Sequence, residues 1–203
     1  MAEHYYSEAP SSAHAPRAFE VHCAGLRLSF ETDAGVFSKD ALDFGSRLLI
    51  ETAPPVSGRA LDLGCGWGAI GIFLAAKNPG ARFTLSDINE RAVSLARKNI
   101  ARNGIQNAVA VESDGYASLD GQFDAIFSNP PIRAGKQTIY RLFDEGKERL
   151  LPGGALYLVI RKQQGAESAL RHLEEVYGNA EILEKAKGFW ILSCKKREEN
   201  IEP

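Results

Sequence analysis

The sequence predicts an α/β fold in which a mostly parallel, seven-stranded sheet carries helices on both faces and ends in an antiparallel hairpin. From residue 60 onward, short apolar runs alternate with amphipathic segments, and repeated strand–helix units require a parallel sheet covered on both sides. The last two apolar runs are separated only by a turn at Lys187-Gly188, and so short a connection requires antiparallel pairing. With 44% hydrophobic and 25% charged residues, we expect one domain over residues 18–197 and a polar tail over 198–203.

The residues before the sheet are predicted to form an arm and a small extension. Residues 1–17 are rich in Ser, Ala, His and Pro without periodicity, so we expect a flexible arm. Phe19–Thr32 alternates apolar and polar residues around Ala24-Gly25, as a β-hairpin does. An amphipathic segment that starts at Asp40 predicts a short helix ending before Pro54.

The core elements alternate regularly along the rest of the chain. Strands are expected at Ala60–Leu63, Arg82–Ser86, Ala108–Val111, Phe123–Ser128, Ala155–Ile160, Ala180–Lys185 and Phe189–Cys194. Helices are expected at Ala69–Lys77, Glu90–Arg102, Lys136–Leu150 and Ala166–Tyr177, the third of them stopped by Pro152-Gly153-Gly154. The predicted fold class is therefore a Rossmann-like, doubly wound α/β sheet with an N-terminal hairpin and helix extension.

Composition excludes some classes of protein. No apolar run is long enough to cross a bilayer, and the N-terminus lacks the basic and apolar stretches of a signal peptide. The three cysteines, Cys23, Cys65 and Cys194, are far apart and form no metal-type pair, which suits reduced thiols. We therefore expect a cytoplasmic protein without a membrane or metal partner.

Charge is distributed unevenly, although the net charge is only −2. Residues 1–128 contain 11 Lys and Arg against 15 Asp and Glu, whereas residues 129–197 contain 13 against 8. The C-terminal third is therefore a candidate surface for phosphates. The alternative is that these charges lie on unrelated solvated faces.

The candidate cofactor loop is Asp62–Gly68, which follows the first core strand and opens a helix. Its three glycines at alternate positions allow a tight turn and let a ligand approach the backbone and the helix N–H groups. Gly66–Gly71 also matches the G-x-G-x-x-G dinucleotide fingerprint, and Asp87 follows at about the expected distance. An NAD-dependent oxidoreductase is therefore an alternative on this segment.

Acidic side chains favour S-adenosylmethionine over a dinucleotide. Asp62 would repel a pyrophosphate, but it is placed to hold the ammonium group of S-adenosylmethionine, which carries no phosphate. Asp87 suits ribose hydroxyls with either ligand. Asp114, after the third strand, is predicted to meet the adenine edge or, alternatively, to cap the turn Ser113–Gly115. No Tyr-x-x-x-Lys pair follows the fourth strand, which disfavours the oxidoreductase.

The candidate reaction loop, Asn129-Pro130-Pro131-Ile132, directly follows the fourth strand. Ligands bind outside the carboxyl ends of the strands in such sheets, so both loops are expected on one edge. The prolines stiffen the loop and remove N–H donors, which leaves the side-chain carbonyl of Asn129 and the backbone carbonyl of Pro130 as converging acceptors. Acceptors of this kind hold an exocyclic amine in line with a methyl donor, and alignment alone lowers a barrier by about 7–11 kcal/mol.

Three segments together resemble the methyltransferase small domain, the catalytic domain of the small-subunit ribosomal RNA guanine-N2 methyltransferase C family. They are Gly35–Lys39 (Gly-Val-Phe-Ser-Lys), the cofactor loop and the reaction loop. The resemblance spans about residues 19–196 and is closest to short, single-domain bacillus-type members. It implies S-adenosylmethionine as cofactor, guanine N2 as acceptor, and 16S rRNA or a small-subunit particle as partner. The cofactor-binding residues are Phe37, Asp62, Gly64, Cys65, Gly66, Asp87, Ile88, Asp114 and Asn129, and the catalytic residues are Asn129, Pro130 and Pro131.

Five residues near the reaction loop are assigned to the substrate: Ile132, Arg133, Lys136, Arg161 and Lys162. Many relatives have an aromatic residue in place of Ile132, where base stacking contributes about 1–3 kcal/mol. The four basic residues lie at or beyond predicted strand ends and are expected to contact phosphates. The same loop chemistry leaves adenine N6 or a protein glutamine amide as alternative acceptors, and a non-catalytic RNA-binding module as another alternative.

Overall fold

The computed structural model of the chain describes residues 15–36, 38 and 41–198. The first element is an antiparallel hairpin of β1 (Arg17–Cys23) and β2 (Leu26–Thr32). Both turn residues, Ala24 and Gly25, are left-handed, with φ of 49° and 77°, and this pair of conformations matches the twist of a two-residue hairpin. The hairpin predicted from the alternation of residues is confirmed.

The last residues of the segment predicted as a flexible arm, residues 1–17, contact the hairpin and the residue that follows it. Arg17 pairs with Thr32 in the hairpin, and the backbone N–H of Ala15 donates to Asp33 Oδ1 at 2.6 Å. The pairing continues because the apolar and polar alternation of β1 already begins at its first residues. The rest of the predicted arm, residues 1–14, lies outside the described residues, as do residues 199–203 of the predicted tail.

Seven further strands form one twisted sheet, as predicted. They are β3 (Arg59–Leu63), β4 (Arg82–Asp87), β5 (Ala108–Glu112), β6 (Phe123–Ser128), β7 (Leu150–Arg161), β8 (Glu181–Ala186) and β9 (Phe189–Lys195). Their order is β5-β4-β3-β6-β7-β9-β8. The first five run parallel, whereas β9 is antiparallel to both of its neighbours. The order reverses at β3, so the crevice beyond its carboxyl end is the expected place for a ligand.

In the described part of the chain, five helices cover the two faces of the sheet. They are α1 (Phe44–Thr52), α2 (Ala69–Lys77), α3 (Glu90–Arg102), α4 (Lys136–Arg149) and α5 (Ala166–Tyr177). Apolar side chains of α1, α2 and α3 share one buried cluster with the hairpin, and those of α4 and α5 belong to a second cluster on the other face. Within the described ranges, no helix combines the length and apolarity needed to cross a bilayer.

Two element boundaries differ from the predicted ones. The first helix begins at Phe44, and not at Asp40, because the carboxylate of Asp43 accepts from the backbone N–H of Ser46 at 3.0 Å and so caps the helix. Strand β7 begins at Leu150, before the Pro152–Gly154 segment that was expected to separate helix from strand. Gly154 permits this because a Cβ there would lie 3.0 Å from the carbonyl oxygen of Phe123 on the paired strand.

Two asparagines attach the hairpin to α3. The amide of Asn99 accepts from Glu31 N at 2.7 Å and donates to Glu31 O and to Trp67 O, both at 2.9 Å. The amide of Asn103 makes the equivalent pair of bonds with the backbone of Ser29, at 2.9 and 2.8 Å. Because Asn99 also holds Trp67, it connects the hairpin to the glycine loop that follows β3.

Candidate active site

A cavity of about 810 Å³ lies at the carboxyl ends of β3, β4, β5 and β6. The predicted site residues that line it are Gly64, Cys65, Gly66, Asp87, Ile88, Asp114, Asn129, Pro130, Pro131, Ile132 and Arg161. Asp62, Lys136 and Lys162 are described but do not line it. Phe37 lies outside the described residues, while its neighbour Val36 is buried and lines the wall.

The glycine loop wraps over the end of β4. The backbone N–H groups of Gly64 and Cys65 both donate to Ser86 O, at 2.8 and 2.9 Å. Gly64 and Gly66 have φ of 72° and 56°, and a Cβ added at either would meet no atom within 4 Å. These two glycines therefore leave open space over the loop, whereas a Cβ at Gly68 would lie 2.9 Å from the side chain of Ile72.

Asp62 lies beneath the glycine loop instead of in the cavity wall. Its side chain is 1% exposed, and its Oδ2 accepts from the backbone N–H of Gly71 at 2.8 Å. Its Oδ1 has no hydrogen-bond partner among the residues that the structure describes. Burial and, to a smaller extent, the nearby charge of Asp87 raise the pKa of Asp62 to about 7, against the lowering effect of the bond from Gly71. The ionised form of Asp62 therefore needs a donor or a positive charge that the described side chains do not supply.

Asp87 ends β4 and faces the cavity. Its Oδ2 accepts from Gly66 N at 2.8 Å and its Oδ1 from Asn89 N at 2.9 Å. Burial raises the pKa of Asp87, whereas these backbone bonds act in the opposite direction. The carboxylate is thus held in one orientation at the end of the strand, and each oxygen keeps a lone pair for a ligand hydroxyl.

Asp114 is exposed at the far wall of the cavity, 3.5 Å from the guanidinium of Arg141. The turn that follows β5 is held by another side chain, because the hydroxyl of Ser113 accepts from Ser118 N at 3.0 Å. The Asp114 carboxylate is thus not needed to cap this turn. Ser113 and Gly115 line the same wall, as does Ile88.

The reaction loop is fixed to the central strand and then turns sharply. The hydroxyl of Ser128, the last residue of β6, donates to Leu63 O at 2.7 Å. The carbonyl of Pro131 accepts from Ala134 N at 2.8 Å in the short 3₁₀ turn Ile132–Ala134. No backbone hydrogen bond to the carbonyl of Pro130 occurs within the described part of the chain, so this oxygen remains available as an acceptor.

Two residues that hold the side chain of Asn129 were missed in the sequence. Its Nδ2 donates to Ser46 Oγ at 3.0 Å and to Asp43 Oδ1 at 3.3 Å. These bonds use the amide nitrogen, which leaves Asn129 Oδ1 as the acceptor. An Asp three residues before a Ser at the start of an apolar helix is a recognisable N-cap, but it does not reveal the contact with Asn129.

The predicted substrate residues are spread along the outer rim. Arg161 lines the mouth of the cavity beside Gln164, Phe44 and Phe189. Lys136 lies over the ring of Tyr140, 5.0 Å from its centre, and Lys162 pairs with Glu167 at 3.6 Å. The structure therefore brings Arg161, but not Lys136 or Lys162, into the wall; for Arg133 only the backbone is described.

Comparisons with known proteins agree with this architecture. The profile of the Methyltransferase small domain matches residues 27–193. The chain is 42% identical over 200 residues to the uncharacterized protein YbxB of Bacillus subtilis (strain 168), covering 97% of this chain and 100% of that protein. It is 34% identical over 187 residues to the ribosomal RNA small subunit methyltransferase C of Vibrio vulnificus (strain CMCP6), covering 89% of this chain and 53% of that protein.

A solved structure shows the same fold. The T. thermophilus 16S rRNA N2 G1207 methyltransferase, in complex with AdoMet and guanosine, superposes with a TM-score of 0.80 at 28% identity. The match covers 90% of this chain and 51% of that one, so the chain spans about half the length of the methyltransferase C relatives. On its fold, its cavity and the match over residues 27–193, the chain belongs to the methyltransferase small domain family.

Proposed function

We propose that this chain transfers a methyl group from S-adenosylmethionine to an exocyclic amino nitrogen, with guanine N2 of small-subunit ribosomal RNA as the acceptor. One observation carries the proposal: the glycine loop and Asn129 line one cavity, and the amide of Asn129 is held through its nitrogen. Family membership supports methyl transfer, and the names of the methyltransferase C relatives support RNA as the substrate.

The described residues fit S-adenosylmethionine, which would supply an electrophilic methyl group on a sulfonium. Gly64 and Gly66 would bind it against their backbone, where an added Cβ meets open space. Asp87 would accept from the ribose hydroxyls, and the Ser113–Gly115 turn would border the adenine. The unpartnered Oδ1 of Asp62, beneath the loop, is the acceptor that we assign to the ammonium end.

Charge near the loop also favours a cation over a pyrophosphate. Asp62 and Asp87 lie close enough for the negative charge of Asp87 to raise the pKa of Asp62. A buried and a half-buried carboxyl group at one loop would repel a phosphate, but a sulfonium and an ammonium would relieve their mutual repulsion. This argument favours methyl transfer over the NAD-dependent alternative.

At the acceptor, the protein's task is to position the amine. Asn129 Oδ1 and the carbonyl of Pro130 would each accept one N–H bond, which turns the nitrogen lone pair out of conjugation with the ring. Neither group needs to remove a proton before the methyl group is transferred. Such preorganised polar groups contribute about 2.7–4 kcal/mol each to a reaction barrier.

The proposal is tested in two steps. Isothermal titration should show binding of S-adenosylmethionine or S-adenosylhomocysteine, and absence of binding at millimolar concentration would exclude the function. Cofactor with a labelled methyl group is then incubated with naked 16S rRNA, immature subunits, mature subunits, DNA and protein, and the labelled position is mapped. Label on guanine N2 supports the proposal, whereas label on adenine N6 or on a glutamine amide identifies the alternative acceptor.

A further inference from the structure

Two half-buried phenylalanines form an aromatic surface in the lining of the cavity. Phe44 begins α1 and Phe189 begins β9, their ring centres are 5.7 Å apart, and both line the cavity. Gly45 allows this close approach, because a Cβ there would lie 2.8 Å from Phe189 Cε1. Phe44 directly follows Asp43, whose carboxylate holds Asn129. The aromatic surface is therefore continuous with the predicted reaction loop.

A cation lies over each of these rings. The guanidinium of Arg161 is 4.6 Å from the ring centre of Phe189, its partner across the β7–β9 pair. The ammonium of Lys187 is 4.7 Å from the ring centre of Phe44. Both cations are exposed, and neither has an ion-pair partner among the described residues. Held by rings and not by carboxylates, they keep their N–H donors for a ligand.

We propose that this aromatic–basic shelf (Phe44, Phe189, Arg161 and Lys187) binds the single-stranded RNA that flanks the target nucleotide. Arg161 and Lys187 bind its phosphates, and the parts of the two rings that these cations leave uncovered contact its bases. This inference rests on the proposed function, which it deepens by naming the surface that holds the substrate. Unpaired bases that stack on aromatic rings or on arginine are typical of RNA recognition in single strands.

The shelf offers a contact that the reaction loop lacks. Ile132, the last residue of the reaction loop, lines the cavity, and its aliphatic side chain gives less stacking energy with a base than an aromatic ring does. Phe44 and Phe189 supply aromatic area in the lining of the same cavity. Arg161 and Lys187 both belong to residues 129–197, the part of the chain in which basic residues outnumber acidic ones.

The chain contains a matched control for the shelf. Lys185, on the same terminal hairpin, lies 4.1 Å over the ring of Trp190. Trp190 packs with the apolar cluster of the opposite sheet face, and neither residue lines the cavity. Lys185→Gln therefore removes the same charge and the same kind of cation–ring contact as Arg161→Gln, but away from the shelf.

The experiment measures binding of a fluorescein-labelled, single-stranded RNA of about 12 nucleotides in the presence of S-adenosylhomocysteine, with methyl transfer followed in parallel. Arg161→Gln and Phe189→Leu should each weaken RNA binding about tenfold. Arg161→Gln should also reduce the slope of log affinity against log salt by about one. S-adenosylhomocysteine affinity should not change, and Lys185→Gln should behave as the wild type.

Lys187→Asn separates binding from folding. Lys187 is left-handed, with φ of 47°, a conformation that asparagine adopts more readily than lysine. This variant should therefore unfold at a higher temperature and still bind the RNA more weakly. The proposal that the shelf binds RNA is overturned if all three shelf variants bind the RNA as tightly as Lys185→Gln does, or if the wild type does not bind it. Shelf-dependent binding without methyl transfer overturns only the proposed function.

Discussion

At Asn129, two side chains from a distant element decide which amide atom can face the cavity. Ser46 and Asp43 both accept from Nδ2, so the carbonyl oxygen is left as the acceptor. The sequence predicted an acceptor at Asn129 from the loop alone. It could not predict how the amide is oriented, because Asp43 and Asn129 are separated by 86 positions.

Ser46→Ala should lower kcat about fivefold, since one hydrogen bond that orients the Asn129 amide is lost, at about 1 kcal/mol. KM for the cofactor and the thermal midpoint should change little, because the capping bond from Ser46 N to Asp43 is retained. Asn129→Ala gives the upper limit of the effect. Ser168→Ala removes another helix hydroxyl, bonded to Tyr140 outside the cavity, and serves as the control. Equal kcat for Ser46→Ala and Ser168→Ala would contradict the assignment.

At Asp62, burial makes stability depend on pH. Its pKa rises from an ordinary value of 3.8 to about 7 on folding, so the folded chain binds the proton more tightly than the unfolded chain. This tighter proton binding stabilises the folded chain fully below about pH 4, and the stabilisation is lost as the pH rises to about 7. Its size is on the order of 4 kcal/mol. Asp62→Asn removes this titration. Urea unfolding at several pH values should therefore show that the free energy of unfolding of the variant increases relative to that of the wild type from pH 4 to 8. A constant difference between the two proteins over this range would contradict the assignment.

At the scale of elements, α3 supports both the hairpin and the glycine loop through asparagine side chains. Asn99 bonds Glu31 and Trp67, while the bonds of Asn103 within the described residues go to the hairpin strand and to its own helix. The rings of Phe30 and Trp67, 4.8 Å apart, complete this contact. The predicted hairpin thus helps to hold the cofactor loop in place, because both are bonded to Asn99, and Phe30 of the hairpin packs against Trp67 of the loop.

Asn99→Ala should lower the free energy of unfolding by about 2 kcal/mol, because it leaves backbone groups of β2 and the Trp67 carbonyl without partners. It should also weaken S-adenosylhomocysteine binding severalfold. Asn103→Ala should lower the free energy of unfolding by about half as much. It should leave S-adenosylhomocysteine binding unchanged, since Asn103 does not contact Trp67. Urea titration and calorimetry measure the two effects, and equal loss of cofactor affinity in both variants would refute the link from α3 to the glycine loop.

The elements themselves were largely predictable, and the misplaced boundaries have local causes. Alternation and apolar runs located the nine strands found in the described residues, because each side-chain pattern reports which face is buried. Strand β7 was placed to start at Ala155, five residues too late, because Pro152-Gly153-Gly154 was interpreted as a helix stop alone. A glycine that permits close approach of a neighbouring strand has the same sequence signature as one that ends a helix.

For the whole molecule, the position of the cavity and the loops that line it were predictable, but the basic residues in its wall were not. Parallel strands place their carboxyl ends on one edge, so the two loops had to meet there. Tertiary contacts decide which basic residues reach the cavity. Arg161 lines it, whereas Lys162, the next residue, forms an ion pair with Glu167. The register of β7 against β9, which pairs Arg161 with Phe189, is likewise not specified by alternation alone.

The direction of β9 determines which of its residues the substrate can meet. Its parallel neighbours contribute their last residues to the catalytic edge, but a strand of opposite polarity contributes its first. Phe189 and the preceding turn therefore stand beside Arg161, and the same segment inserted in the other sense would carry them to the far side of the sheet. In this fold, reversing one strand allows a hairpin turn to contribute to substrate recognition.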